Sequence, residues 1–94
     1  MSPEQFHSEL AAGGFAPPVV VAREIGYALA DHDHDFDAFA LITEGEITLT
    51  VASVATRYGV GDVFRLPAGT SHLESAGPQG VRYFSARRDP NDRP

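Results

Sequence analysis

The stretch GYALADHDHDFDAFALITEG, residues 26–45, decides how this chain is read. His32 and His34 alternate with Asp31, Asp33, Asp35 and Asp37, and an apolar run from Ala38 to Ile42 follows before Gly45 closes the segment. In an extended strand, residues two apart project from the same face, so the two imidazoles share one face and the aspartates share the other. Burying unpaired carboxylates costs far more than burying neutral imidazoles, which turns the histidines inward and the aspartates toward water. Two imidazoles placed this way can chelate one ion. Phe39-Ala40-Leu41-Ile42 is apolar on both faces and must be covered twice, with a helix or a second subunit as its outer cover.

A second stretch, GDVFRLPAGTSH at residues 61–72, offers a third imidazole. Pro67 fixes one backbone angle and Gly69 permits a positive one, a turn that re-aims the next strand and sends His72 inward. Between the two stretches, Glu46 to Val51 alternates polar and apolar residues, so Ile47, Leu49 and Val51 face a core while Thr48 and Thr50 face water. The same patterning predicts strands near Val19–Ala22, Ile25–Ala30, Phe36–Thr43, Glu46–Val51, Val54–Tyr58, Asp62–Leu66, Ser71–Ala76 and Val81–Ala86. Many short strands with turn residues between them point to a barrel or a sandwich.

Gly26, five residues, His32-x-His34 and Gly45, followed by Gly61, five residues, Pro67-x-Gly69 and His72, resembles the paired signature motifs of the cupin superfamily. The resemblance covers Gly26 to Ala76. It implies an all-β fold, a small antiparallel cupin β-barrel of the jelly-roll type with a short N-terminal helix. The expected organisation is residues 1–14 for the helix and its connection, 15–87 for the barrel and 88–94 for a flexible tail. It further implies one divalent metal ion, iron, zinc, manganese or nickel, on His32, His34 and His72. The family's usual glutamate ligand is replaced by Ala38, and an asparagine common in its second motif by Ala76. Some cupin enzymes work with a three-histidine shell, and open positions are what a catalytic ion needs. Asp37 adjoins the lost position but faces away from the histidines on a regular strand, so only a bulge would make it a ligand. Glu74 shares the face of His72 and is the candidate fourth donor or catalytic base.

Two classes of function follow from the resemblance. One is a metal-dependent enzyme acting on a small organic molecule, with dioxygenase-like or isomerase-like chemistry; the other is a non-catalytic module that binds or senses a small ligand. A homodimer is expected from the doubly apolar strand and from small size, since 94 residues bury a limited core.

Composition narrows the field. The chain has no cysteine, which leaves any metal to nitrogen and oxygen donors. Its net charge of −6 disfavours nucleic acid despite an arginine-rich C-terminus. No apolar run approaches the ~20 residues that cross a bilayer, and Met1–Leu10 does not read as a secretory signal, so a cytoplasmic location is the default expectation. Ser2-Pro3-Glu4-Gln5 matches a capped helix start, with Phe6 and Leu10 on one stripe and Gly13-Gly14 as the stop. His7 on that helix is read as a surface residue. Asp31, Asp33 and Asp35 are candidate hydrogen-bond acceptors for the ligand imidazoles, with a solvated face as the simpler account. Tyr27, Phe36, Phe64 and Tyr83 are candidates for the pocket wall or the core. Arg65 is read as outward-facing.

Overall fold

A computed structural model describes all 94 residues. It begins with α1, Pro3–Gly13, and the capping box closes as the sequence predicts. Gln5 N donates to Ser2 Oγ at 3.2 Å and Ser2 N donates to Gln5 Oε1 at 3.0 Å, while Gly14 ends the helix in the left-handed region at φ 76°. The strands are β1 (Val19–Arg23), β2 (Ala28–His32), β3 (Asp37–Val51), β4 (Val54–Gly59), β5 (Val63–Leu66) and β6 (His72–Arg88).

Every pairing is antiparallel, and the two long strands carry the fold. β6 pairs with β1, β2 and β3, and β3 pairs with β4, β5 and β6. The result is an antiparallel sandwich, barrel-like but not closed into a ring of hydrogen bonds. Four of the eight expected strands are therefore halves of two. The breaks read from sequence at Glu44–Gly45 and Gly77–Gly80 are irregularities of register, where β3 and β6 bend across one another and resume pairing on either side. Gly45 at φ 69° and Gly80 at φ 75° meet there, and a Cβ on Gly45 would strike the Gly80 carbonyl. The inward face also changes at this crossing: Ala38, Ala40 and Ile42 enter the core before it, Ile47 and Leu49 after it.

Two other boundaries move. Ile25–Gly26 belongs to a turn closed by Tyr27 N donating to Glu24 O at 3.1 Å, so β2 starts at Ala28 rather than Ile25. His34 lies in the connection after β2 instead of on a strand.

The core has two compartments. Inside the sandwich, Phe64, Leu66, Val81 and Tyr83 pack with the inward residues of β3. Outside it, Phe6 and Leu10 of α1 cover Phe39, Leu41 and Ala86, with the Phe6 ring edge-on to Phe39 at 4.9 Å. The outer cover of the doubly apolar strand is thus the helix, which removes that strand as a reason to expect a second subunit.

Residues 88–94, expected to be a loose tail for lack of apolar anchors, have ionic ones. Asp89 caps a 3-10 turn over Pro90–Asp92. Beyond it, Arg93 donates to both carboxylate oxygens of Asp37, Nη2 to Oδ1 at 2.6 Å and Nε to Oδ2 at 2.8 Å. Arg88 adds Nε to Oδ2 at 3.0 Å and reaches the Gly13 carbonyl at 2.8 Å. Asp37, 3% exposed, is a structural hub.

Candidate metal centre

β2 and β6 bring two imidazoles face to face. His32 and His72 are direct cross-strand partners, made so by a register shift between Leu29 and His32. Their ring centroids lie 4.2 Å apart, and His34, though off the strand, joins them at 5.0 Å from His32 and 5.4 Å from His72. One ligand atom from each of the three lies within 4.8 Å of the others. The predicted alternation also holds on either side of them: Asp31, Asp33 and Asp35 are exposed while His32 and His34 are half-buried.

The turn before β6 sets the third ring. Thr70 N donates to Pro67 O at 3.1 Å, Gly69 takes φ 82°, and Gly69 N donates to the His34 carbonyl at 2.8 Å. Ala68 N donates to Asp37 Oδ1 at 2.8 Å, so the turn is held from both sides.

Backbone carbonyls, not aspartates, orient two of the three rings. His72 Nδ1 lies 2.9 Å from Thr70 O and His32 Nδ1 lies 2.8 Å from Ala30 O. Each contact requires an Nδ1–H, which leaves the Nε2 lone pair free, the tautomer a metal ligand needs. Asp31 instead accepts from Ser71 Oγ at 2.9 Å. His72 is 1% exposed and its Nε2 has no hydrogen-bond partner. A buried polar atom without a partner is uncommon and calls for an explanation. An ion held by the three nitrogens would supply one, and the donor set fits a borderline divalent metal.

Glu74 closes the site on one side. Its Oε2 lies 3.6 Å from His72 Nε2 and 4.0 Å from His32 Nε2, while Oε1 accepts from the Tyr27 hydroxyl at 2.5 Å. That Tyr27 grips this carboxylate had no local signal in the sequence, since 47 residues separate the two. Asp37, the other candidate for the missing carboxylate, is committed to Arg88, Arg93 and the Ala68 amide. Ala38 lines the same cavity and offers no donor to it.

Burial holds the His34 pKa below its usual value, helped by the charges His32, His72 and Arg87 would place nearby. The neutral, ligating form is thereby favoured. Burial chiefly, with the Glu74 charge behind it, pushes the Tyr83 phenol up to about 12. Burial and the same carboxylate raise that of Tyr27, so both phenols stay protonated near neutrality.

The histidines and Glu74 open into a cavity of about 170 Å³ whose walls include Tyr27, Phe36, Phe64 and Tyr83. Phe64 and Tyr83 serve the core as well. Arg65 points outward, as expected, to Glu9 at 2.9 Å. A wider hollow of about 320 Å³ on the helix side is lined by Asp37, Arg65, Arg88 and Arg93, whose charges are already paired.

A family model described as "Cupin domain" matches residues 19–85. No curated protein matches the chain. Among solved structures, a conserved protein of unknown function from Streptococcus pyogenes is 22% identical with a TM-score of 0.68, over 76% of this chain and 61% of its own. KdgF from a Halomonas species is 22% identical with a TM-score of 0.64, over 79% and 70%. The DMSP lyase DddQ from Ruegeria pomeroyi is 23% identical with a TM-score of 0.67, over 73% and 36%. The chain spans under two thirds of the length of the streptococcal protein, and identities this low show a shared fold.

Proposed function

Since this chain belongs to the cupin family, with the match covering most of its length, we propose that His32, His34 and His72 hold one divalent metal ion at which a small organic molecule is transformed. The observation that carries this reading is the His72 Nε2 atom, buried, unpartnered and aimed at two further imidazoles. A bound ion with open positions supplies Lewis-acid polarisation of a substrate oxygen, or electron transfer if it is iron. The His32 and His72 rings are oriented in advance by the Ala30 and Thr70 carbonyls, so two of the three nitrogens are preset for loading.

Glu74 is the proposed base. Its Oε2 faces the imidazole cluster, where it would accept a proton from a bound substrate, while the Tyr27 hydroxyl donates to Oε1 and steadies it. Phe64, Tyr83 and Phe36 narrow the space around the reacting molecule and exclude water. These roles suit isomerase-like chemistry, and dioxygenase-like chemistry if the ion is iron. No helix is long and apolar enough to cross a membrane.

Elemental analysis of protein purified without a metal-affinity tag tests the reading. One ion per chain is expected, with loss of it in His72→Ala; full occupancy in that variant refutes the site. Glu74→Gln should keep the ion and lose turnover, measured as oxygen uptake or proton exchange on β-dicarbonyl substrates. The cavity's modest volume favours a second reading, a non-catalytic binder, for which the expected result is ligand retention without turnover. A homodimer is proposed through the edge strand β1, where Val19 and Val20 are 61% and 55% exposed; sedimentation showing a monomer at all concentrations rejects it.

A further inference from the structure

All seven basic side chains of this protein are arginines. Five sit against carboxylates: Arg57 on Glu46, Arg65 on Glu9, Arg82 on Glu44, and Arg88 and Arg93 on Asp37. Arg23 and Arg87 have no such partner, and these two are the arginines that line the histidine cavity. With thirteen acidic residues in the chain, partners are not scarce.

Their placement follows from register. On β6, Tyr83, Ser85 and Arg87 alternate onto the cavity face. On β1, Val21 and Arg23 do the same, with Arg23 opposite Val81. Arg87 therefore stands at one end of this wall and Arg23 at the other. The Arg87 guanidinium lies 4.2 Å over the Phe36 ring, which stacks on His34 at 4.7 Å, and it makes no hydrogen bond of its own. Arg23 lies 5.1 Å over the Tyr27 ring and spends one donor on the Ala22 carbonyl. Glu74 is the one carboxylate in the cavity, and Tyr27 already holds it.

Arg23 and Arg87 are both exposed and stand at the open rim of the cavity, and two guanidinium groups and a divalent ion against one carboxylate leave an excess of positive charge over its mouth, where anions are concentrated. A guanidinium offers parallel N–H donors that match a carboxylate two-to-two, and stacking on Phe36 pre-orients this one. The size of the cavity bounds the guest. A cavity of about 150 Å³ accepts benzene, so one of this volume takes about six to eight non-hydrogen atoms.

We infer that the cavity takes a small organic acid anion, its carboxylate on Arg87 and its other oxygen-bearing end between the metal site and Arg23. The assignment builds on the metal reading above for the ion's share of the charge, but the arginines stand independently of it.

Calorimetric titration with malonate, malonamide and inorganic phosphate, into both cobalt(II)-loaded and metal-free protein, tests it. Malonate should bind at least about tenfold more tightly than neutral malonamide, and Arg87→Gln should weaken malonate by about tenfold or more with cobalt affinity unchanged. Arg87→Lys should recover only part, because an ammonium lacks the fork. Equal binding of malonate and malonamide overturns the inference, as does indifference of malonate to both Arg87→Gln and Arg23→Gln. Phosphate binding tighter than malonate with the same arginine dependence overturns the carboxylate assignment. If the wild-type chain takes no cobalt, the metal reading fails, whereas arginine-dependent malonate binding to metal-free protein still upholds the anion site.

Discussion

Replacing Asp37 by alanine probes the most concentrated polar contact in the molecule. The carboxylate is 3% exposed and receives the Ala68 amide, Arg88 and the two-pronged grip of Arg93. Removing one partner of a buried ion pair costs about 3–5 kcal/mol, because the survivors keep their desolvation without their bonds. Here the Arg88 side chain is 17% exposed and that of Arg93 47%, so the second can turn to water and recover part of the loss. The expected cost is therefore about 2–3 kcal/mol. For a chain of this length that lowers Tm by roughly 10–20 °C. The Arg93 and Ala68 hydrogen bonds hold the Asp37 pKa well below the usual carboxylate range, so its contribution is complete above the unfolded-state value near ~3.9 and is lost as pH falls through the folded-state value. Urea unfolding of the wild type and Asp37→Ala should differ by a constant amount between pH 8 and pH 5, in round figures, and converge under stronger acid. A difference below about 0.5 kcal/mol, or one that persists undiminished at about pH 2, refutes the hub.

Phe6→Ala, which uncovers Phe39 and Leu41, should cost about 3–4 kcal/mol in chemical denaturation, and a loss under about 1 kcal/mol would deny α1 its role as cover. Ligand imidazoles must be neutral, so metal affinity should be flat above about pH 7 and fall through the histidine range near ~6.5. Burial lowers the His34 pKa, which favours its neutral, ligating form. Equilibrium dialysis showing constant occupancy down to about pH 5 would assign the ion to carboxylates. Tyr27→Phe should leave metal content unchanged and slow turnover about tenfold, the worth of one hydrogen bond to a charged group; an unchanged rate removes Tyr27 from the site.

The histidine cluster was legible because its signal is local. Alternation with aspartates fixes which way His32 and His34 turn, and Pro67-x-Gly69 fixes the turn ahead of His72. The helix was legible for the same reason, its capping box and its Phe6–Leu10 stripe being complete within a few residues. Asp37 shows where such reading ends. It continues the pattern of Asp31, Asp33 and Asp35, yet it is buried where they are exposed, because two arginines more than fifty residues away neutralise it. A lone hint lay in a tail with arginines and no apolar anchor. The grip of Tyr27 on Glu74 and the two unpaired arginines of the cavity likewise depend on which strands become neighbours. Strand count was overestimated because a bulge and a chain break leave the same glycine-rich trace, although a bulge preserves the ladder.

The meeting of β3 and β6 at Gly45 and Gly80 acts on the chain like a change of phase. On β6, even-numbered His72 and Glu74 and odd-numbered Tyr83, Ser85 and Arg87 all reach one interior, because the segment around Gly77–Gly80 absorbs an odd count of residues. Deleting a single residue there would rotate one whole arm by half a period. The imidazole end would keep its inward orientation while Tyr83 and Arg87 swung out to solvent. Length changes of two in that segment leave both arms in step, so tolerance to insertion should follow evenness rather than size.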